Sequence, residues 1–384
     1  MKSYIIKIKD EYILSKSRSG GAFTIFSDII LNKNGVVYGC KLNNDFVAVH
    51  NRAETKEERD EFRGSKYVQS ELNAIFNSVK QDLLANRYVL FSGTACQIAG
   101  LINYLSHNYL SHNILEKLFC IDIICHGVPS PKVWKDYLEY NKIKYNGEVS
   151  GACFINKEQF GWKAHKETIW INDVPIHSNI FTHLFRDHNI LRPSCFVCPF
   201  KKVPHISDIT IGDAWGVEKN NPEFYNNKGT SLVIINSEKG KKLFNLIETD
   251  CILVEVEIDA YLQKALISPY DEPRRRNKFW NDYNKYSFVK IVNKYIEPTI
   301  KNRIKWKINQ VLKFKQERKV EITKFDFGKK YNCCGCTACY NICSHNAIKM
   351  IDDEEGFKYP CIDKSKCINC KLCEKVCPMI TKWR

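Results

Sequence analysis

The sequence predicts a mixed α/β (α+β) body with a small cysteine-rich domain at its C-terminal end. Three observations support this fold class. Strand-like and helix-like segments alternate through residues 1–272. Eight of the 18 cysteines fall into two regular motifs within residues 328–384. The length of 384 residues, 44% of them hydrophobic, is sufficient for two or three packed domains.

Two strand–loop–helix units define the expected binding edge of the body. In open α/β sheets, ligands bind beyond the carboxyl ends of the strands. The turn at 93–97 and the loop at 125–131 fall at this end, and they contain Cys96 and Cys125. From the apolar patterning we expect strands at 36–42, 88–92, 118–124, 207–216 and 229–236, and helices at 22–32, 98–105, 132–140 and 238–248.

A Ser/Gly-rich loop, Ser17–Gly21, precedes the helix predicted at 22–32. Free backbone N–H groups and the positive end of the helix dipole make such a helix start suitable for binding phosphate. An ordinary capped helix start has a similar composition. The loop alone therefore leaves both interpretations open.

Composition and charge limit the compartment and the class of protein. No apolar run approaches the ~20 residues needed to span a membrane. Charges flank a very short apolar stretch near the start, so no signal peptide is expected there. We therefore expect a cytoplasmic protein, and in a reducing compartment abundant cysteines indicate metal ligands before disulfides. No Ser/His/Asp arrangement or paired-carboxylate pattern argues for hydrolysis.

Two copies of one cysteine motif organise the C-terminal domain. Each copy has two, two and three residues between successive cysteines, and Pro378 follows the second copy. In this spacing three cysteines bind one [4Fe–4S] cluster and the fourth binds the other cluster. Cluster one is thus assigned Cys333, Cys336, Cys339 and Cys377, and cluster two is assigned Cys367, Cys370, Cys373 and Cys343.

Zinc is the alternative for these motifs. A structural zinc ion takes four ligands in two separated pairs, and two unbroken quartets match that pattern badly. Residues 328–384 instead resemble the bacterial two-cluster ferredoxins, although Ser344 stands where the first motif of that family usually has proline. Cys334 and Cys361 lie outside the spacing and are not expected to be ligands.

Four further cysteines lie in predicted loops of the body: Cys96, Cys125, Cys195 and Cys198. Cys195 and Cys198 form a Cys-x2-Cys pair in a proline-bounded loop, without the strand and helix expected around a thioredoxin-like pair. Four thiolates can hold a third [4Fe–4S] cluster. Zinc and free thiols are the alternatives at this point.

The body, over residues 15–280, resembles the coenzyme F420 hydrogenase/dehydrogenase beta-subunit family. The resemblance depends on six ordered motifs: Ser17–Gly21, Gly64–Ser70, Leu90–Gln97, Cys125–Pro131, Arg192–Cys198 and Ser207–Asp213. Two features depart from the family. Ala95 stands where proline is usual, and the ferredoxin module follows the body, whereas in fused members it usually precedes the body.

The resemblance implies a flavin-binding body with FAD beside an iron–sulfur cluster. The implied flavin-pocket residues are Ser17, Ser19, Gly20, Gly21, Gly64, Ser65, Lys66, Tyr67, Gly93, Thr94 and Gln97. The resemblance also favours Cys96, Cys125, Cys195 and Cys198 as ligands of the third cluster. Lys66, His126 and Asp213 are candidates for catalysis on the substrate side, although each of them alone is equally compatible with loop packing.

Residues 273–327 are expected to form a basic helical connector between the two modules. The segment 301–319 carries eight basic residues and one acidic residue, a net +7 of the chain's +15, and Arg274–Arg276 adds to the patch. A solvated helix is one interpretation. The other is a docking site for an acidic electron-transfer protein, a polyanionic cofactor tail or an anionic membrane surface. No recognition module accompanies the charge, so nucleic acid is not expected as a partner.

These features predict an iron–sulfur flavoprotein oxidoreductase that passes electrons between [4Fe–4S] clusters and a small organic substrate or coenzyme through FAD. An electron-relay beta subunit, whose redox partner subunit holds the substrate site, is the first alternative. A redox enzyme serving polysaccharide biosynthesis is another. The sequence contains no substrate-recognition motif that distinguishes them.

Overall fold

The computed structural model of the chain describes residues 2–108, 110–247, 251–296 and 330–380. These residues form a large mixed sheet with helices on both faces, a small antiparallel sheet and a C-terminal module. The basic segment 301–319 lies outside the described residues. Within the described ranges, no helix is both long enough and apolar enough to cross a lipid bilayer.

The elements are numbered along the chain. The strands are β1 Lys2–Ile8, β2 Val36–Leu42, β3 Ala48–Ala53, β4 Val89–Gly93, β5 Leu118–Ile123, β6 Val149–Cys153, β7 Glu167–Ile171, β8 Val174–Ser178, β9 Ile209–Asp213, β10 Ser231–Ile235, β11 Cys251–Val256, β12 Ile348–Asp352 and β13 Lys358–Ile362. The helices are α1 Glu11–Lys16, α2 Ala22–Leu31, α3 Lys56–Asp60, α4 Ile75–Leu84, α5 Ala95–Ser106, α6 His112–Leu115, α7 Pro131–Tyr145, α8 Lys157–Phe160, α9 Ile180–Arg186, α10 Val217–Asn220, α11 Glu238–Phe244, α12 Lys264–Ile267, α13 Arg276–Lys285, α14 Phe288–Tyr295, α15 Ala338–Ile342 and α16 Leu372–Lys375. Short 3₁₀ helices cover Pro193–Val197, Pro222–Phe224, Ile258–Tyr261 and Lys330–Asn332.

The large sheet has the strand order β11-β1-β10-β9-β5-β4-β2-β3. The neighbours β2–β4, β4–β5 and β5–β9 are parallel, and the outer pairs are antiparallel. The parallel strands β4, β5 and β9 end at Gly93, Ile123 and Asp213, so their carboxyl ends share one edge. A ligand site is expected at this edge.

Alternating side chains of the central strands build an apolar core on each face of the sheet. On one face, Val37 and Leu90 pack with residues of α2 and α11. On the other face, Tyr38 and Phe91 pack with residues of α4 and α5. Burial on both faces explains why these parallel strands are nearly continuous apolar runs in the sequence.

The C-terminal module docks directly on the body. The core beneath α4 and α5 continues into the module through Cys336, Ala338 and Val376. The Asn103 amide nitrogen donates to the Val376 carbonyl (3.2 Å), and a backbone carbonyl of the body accepts from Asn341 (2.9 Å). The module is therefore packed against α5 and shares the body's core.

The predicted α/β class is confirmed, and the predicted strands lie within three residues of the observed bounds. The strands β1, β3 and β11 and the small sheet β6–β7–β8 were not predicted. In β1 and β8, lysine, serine, proline or histidine interrupts the apolar alternation on which strand prediction depends. Pairing with neighbouring strands, which the local sequence does not reveal, stabilises them.

The packed body extends past residue 272, where the sequence placed the start of a basic connector. Helices α13 and α14 bury Phe279, Trp280 and Ile291 in the same core as α7 and α9. Arg276 is also buried, in an ion pair with Glu355 of the module. The described part of this segment is thus an integral layer of the body, and Arg276 does not contribute to a basic surface.

Candidate functional site

A cavity of about 550 Å³ lies at the carboxyl edge of the central strands. Its volume falls in the ~300–1,000 Å³ range of small-molecule and cofactor pockets. Its walls come from the Ser17–Gly21 loop, the first turn of α2, residues 62–68, and the segments after β4 and β5. The predicted residues that line it are Ser17, Ser19, Gly21, Gly64, Ser65, Lys66, Tyr67, Gly93, Thr94, Gln97, His126 and Asp213.

Gly20, also predicted for this pocket, packs against the sheet instead. A Cβ atom at this position would lie 2.1 Å from the Ile6 carbonyl oxygen and 2.5 Å from the Ser231 nitrogen. The Gly20 amide donates to Ser231 Oγ (2.9 Å), and its carbonyl accepts from the Ile8 amide (2.8 Å). Gly20 therefore anchors the loop to β1 and β10 while its neighbours Ser19 and Gly21 face the cavity.

The start of α2 has the geometry of an anion site. Gly21 has a φ of +88°, a left-handed conformation that favours glycine, and it caps the ten-residue helix. The first-turn residues Ala22, Phe23 and Thr24 line the cavity. The positive end of the helix dipole is thus directed at whatever occupies the space.

Basic side chains outnumber carboxylates on the cavity wall. The Asp213 carboxylate pairs with Arg18 (3.0 Å) and accepts a hydrogen bond from Trp162 Nε1 (3.0 Å), so its charge is already compensated. The other cations of the wall are Arg63, which pairs with Asp60 (2.7 Å), Lys66 and Arg186. The wall itself therefore carries a positive charge that favours an anionic ligand.

Lys66 is held at the rim of the cavity by the backbone. Its Nζ atom donates to the carbonyl oxygens of Glu61 (3.0 Å) and Arg63 (2.7 Å). Burial lowers the pKa of Lys66 to about 8. The side chain is therefore still charged at neutral pH but loses its proton far more readily than an exposed lysine.

His126 belongs to an aromatic group at the cavity wall. Its Nε2 atom lies 2.7 Å from His188 Nε2, and its ring stacks on Tyr270 with the centroids 4.1 Å apart. Burial, followed by the neighbouring His188, lowers the pKa of His126 to about 3. His126 is thus neutral near pH 7, and it acts there as a hydrogen-bonding group and not as a cationic acid.

Several lining residues were not selected from the sequence. Arg18 is inside the Ser17–Gly21 motif, whose small residues are the ones that the resemblance implies for the pocket. His165, Arg186 and Tyr270 also line the cavity, and they lie in segments without a recognisable motif. Only Arg18 carried a local signal that could have identified it.

A second, smaller cavity of about 40 Å³ contains the four cysteines of the body. Cys96 lies in the first turn of α5, Cys125 follows β5, and Cys195 and Cys198 lie in and after the 3₁₀ helix at Pro193–Val197. The space is several times what one buried water needs. The structure therefore brings together all four residues proposed for a third cluster.

These four thiols interact with one another. Burial, followed by the nearby thiols of Cys195 and Cys96, raises the pKa of Cys125. Burial and the same kind of neighbours raise the pKa of Cys198 to about 12. In the part of the chain that the structure describes, no group of three or more potential ligands is close enough to share a single ion. The thiols line a space, as the corner ligands of a cube would.

The two cavities share part of a wall. Residues that line both are Thr94, Cys125, Gly127, Val128 and Ala265. The Val128 amide donates to Cys195 Sγ (3.4 Å), which ties the shared loop to the cysteine site. A group in the small cavity would therefore be the immediate neighbour of a ligand in the large one.

The four cysteines assigned to cluster one lie together in the module. Burial, followed by the thiols of Cys333 and Cys377, raises the pKa of Cys339. Cys336 interacts electrostatically with Cys339 and Cys377. The predicted crossing, in which Cys377 of the second motif joins three cysteines of the first, is consistent with this arrangement.

The second motif lies on the outer side of the module. Cys367 and Cys370 are exposed, and Cys373 interacts with Cys370. Cys367 Sγ accepts from the Asn369 amide (3.4 Å), and Cys343 Sγ accepts from the Ala347 amide (3.4 Å). Cluster two would therefore lie nearer to solvent than cluster one.

Cys334, expected to have no role, lies between the module and the body. Its thiol is buried, and it interacts with the thiols of both Cys96 of the body and Cys336 of the module. It also lines the small cavity. One residue thus contacts ligands proposed for cluster one and for the third cluster, and nothing in the local spacing indicated this.

Comparisons with known proteins agree with the two-module organisation. Residues 86–260 match the family model for the C terminus of the coenzyme F420 hydrogenase/dehydrogenase beta subunit, and residues 332–380 match the 4Fe-4S dicluster domain. An uncharacterized ferredoxin of Methanocaldococcus jannaschii is 41% identical over 46 residues, which are 12% of this chain. The chain spans 58% of the length of that curated relative.

The solved structures that match include one at low sequence identity. It is a chain of the F420-reducing [NiFe] hydrogenase complex from Methanosarcina barkeri, studied as a xenon derivative. The match covers 67% of this chain and 82% of that chain, with 16% identity and a TM-score of 0.49. The chain thus combines a region similar to the C terminus of the coenzyme F420 hydrogenase/dehydrogenase beta subunit, over residues 86–260, with a C-terminal match to the 4Fe-4S dicluster domain.

Proposed function

We propose that the chain is an iron–sulfur flavoprotein oxidoreductase. It passes electrons between the [4Fe–4S] clusters of the module and an organic substrate or coenzyme, through a third cluster and FAD. The family and the dicluster domain support a redox role. The observation that carries the proposal is the order of the sites: the module contacts the four-cysteine cavity, and that cavity shares a wall with the large one.

The large cavity suits FAD in size and charge. FAD, when bound, supplies the chemistry that links one-electron carriers to two-electron substrates. The Ser17–Gly21 loop and the start of α2 would bind its pyrophosphate, because the backbone N–H groups and the helix dipole there favour anions. Arg63 and Lys66 would supply compensating positive charge.

The small cavity suits a [4Fe–4S] cluster. Its four thiols are hard to ionise in an apolar enclosure, and coordination to iron deprotonates a thiol outright. The buried Arg192 and Lys201 also line this cavity, and their positive charges would offset the negative charge of four thiolates. Cys96, Cys125, Cys195 and Cys198 would be the ligands.

Iron and flavin analysis of the anaerobically purified chain tests the proposal. Three clusters give about twelve iron atoms per chain, together with one flavin. About eight iron atoms would restrict the clusters to the module and remove the third. A chain that has its iron but neither contains nor takes up flavin would overturn the proposed mechanism.

An electron-relay subunit is the second candidate, and one observation favours it. The three side chains considered for catalysis already have partners: Asp213 pairs with Arg18, His126 with His188, and Lys66 with backbone carbonyls. The chemistry on the substrate would then occur in a partner subunit. Turnover of an organic acceptor by the isolated chain, with reduced methyl viologen as the electron source, would exclude the relay.

A further inference from the structure

Arg192 is a fully buried arginine at the junction of the body and the module. It immediately precedes the 3₁₀ helix that carries Cys195. Its Nε atom donates to the Cys333 carbonyl (2.7 Å), and its Nη2 atom donates to Cys333 Sγ (3.5 Å) and to the Lys358 carbonyl (3.0 Å). Its Nη1 atom donates to Gln69 Oε1 (2.8 Å). The guanidinium group is thus held on all sides, and one of its contacts is the sulfur of a cluster-one ligand.

The charge of Arg192 is not balanced by its hydrogen-bond partners. The four acceptors are two backbone carbonyls, an amide oxygen and a thiol sulfur, and the Tyr359 ring stacks on the guanidinium at 4.2 Å. A guanidinium cannot lose its proton in a protein, and burying it is costly without a compensating charge. Besides the third cluster, whose cavity Arg192 also lines, cluster one is an anion that would compensate this charge, and Arg192 reaches it directly through Cys333 Sγ.

We propose that Arg192 is a positioning residue that orients Cys333 and raises the reduction potential of cluster one above that of cluster two. Reduction adds negative charge to a cluster, and a fixed positive charge at a ligand sulfur stabilises the reduced state. The effect is strong here because the group is buried, whereas salt and water screen charges beside the exposed Cys367 and Cys370. Electrons that enter at the outer cluster are thereby favoured to move inward to the body.

This inference depends on the 4Fe-4S dicluster domain and goes beyond the proposed flavin chemistry. It holds whether or not the large cavity binds FAD. Its test is a property of cluster one, so loss of flavin and failure of the inference are separate observations.

The experiment is an EPR-monitored redox titration of the full chain, wild type and Arg192→Gln. Gln keeps a donor at this position and removes the charge. We expect the reduction equilibrium of cluster one to become at least tenfold less favourable, which is about 59 mV for a one-electron couple, while cluster two is unchanged. Cys370→Ala, which removes a ligand of cluster two, identifies the reduction step that belongs to that cluster.

The matched control is the double variant Arg276→Gln/Glu355→Gln. Arg276 is also a buried arginine that fastens the module to the body, through Glu355 and the Leu191 carbonyl, but its hydrogen bonds reach no cysteine. The control should weaken docking without changing the potential of cluster one. If it changes the potential as much as Arg192→Gln does, or if both clusters shift together in Arg192→Gln, the inference is overturned.

Arg192→Lys provides the test if the glutamine variant does not accumulate. Lysine keeps the charge but cannot reproduce the planar fork that reaches Cys333 and Gln69 together. We expect a shift in the same direction and of smaller size. An unchanged potential in the variant that folds would contradict the proposal.

Discussion

Gly100 gives the sharpest test of how the module sits on the body, because two effects of opposite sign compete there. This residue lies in the interior of α5. Glycine in a helix interior is less favourable than alanine by about 1 kcal/mol. If α5 were free of the module, Gly100→Ala would therefore stabilise the protein by about that amount.

The structure predicts the opposite result. A Cβ atom at Gly100 would lie 2.7 Å from Cys336 Sγ and 2.9 Å from Cys336 Cβ. Non-bonded carbon atoms are most favourable at about 3.5–4.0 Å, so the module would have to move by about 1 Å. Overpacking of this kind costs about 1–3 kcal/mol. After subtraction of the helix-propensity gain, we expect a net loss of up to about 2 kcal/mol.

Thermal unfolding of the anaerobically prepared chain measures this balance. We expect a lower melting temperature for Gly100→Ala than for the wild type, with tryptophan fluorescence and cluster absorbance as independent probes. Gly100→Ser adds a larger side chain at the same position and should lower the melting temperature further. A higher melting temperature for Gly100→Ala in the otherwise wild-type chain would refute the docked arrangement.

Three further predictions concern the two cavities and the glycines of the large cavity's loops. Cys195→Ser should lower the iron content from about twelve to about eight atoms per chain and leave flavin binding intact. Cys361→Ser, at an exposed position, should leave the iron content unchanged. Burial lowers the pKa of Lys66 to about 8, so its charge is present below that pH and lost above it. The affinity of the chain for FAD in reconstitution should therefore fall between about pH 7 and about pH 9. The Lys66→Gln variant should bind FAD more weakly and without this pH dependence. Gly20→Ala should abolish accumulation of folded protein, because its Cβ atom would lie 2.1 Å from a backbone oxygen. A Cβ atom at Gly64 would have nothing within 4 Å, so Gly64→Ala should lower the free energy of unfolding by only about 1 kcal/mol, because of its positive φ.

For each of these predictions, one result would contradict it. Unchanged iron in Cys195→Ser would exclude this residue as a ligand. A pH profile that Lys66→Gln shares with the wild type would assign the pH dependence to another group. Equal stability of the two alanine variants would show that the Ser17–Gly21 loop does not press against the sheet as described.

The parts of the site that the sequence predicted are those encoded by local spacing. The ligands of cluster one follow one another at intervals of three positions, except for Cys377, whose role follows from the repeated motif. The central strands were found because burial on both faces makes them continuous apolar runs. The Ser17–Gly21 loop was found because its small residues stand directly before a helix.

The parts that were missed depend on contacts between distant segments. Arg192 and Cys333 are 141 positions apart, and neither residue carries a local signal of the other. Cys334 differs from its neighbour Cys333 only in where the folded chain directs its side chain. The sequence predicted a connector over helices α13 and α14 because their lysines and arginines are evident in the sequence. The aromatic residues that these helices bury become evident only when the core that they pack against is known.

The docking of the module on α5 has a consequence for how genes of this kind can be arranged. Among the described residues, contacts such as those of Arg192, Arg276 and Asn103 join the surfaces of two folded units directly. A tether then sets only the effective concentration of one unit near the other. The same assembly is therefore compatible with a module encoded before the body, after it, or as a separate polypeptide.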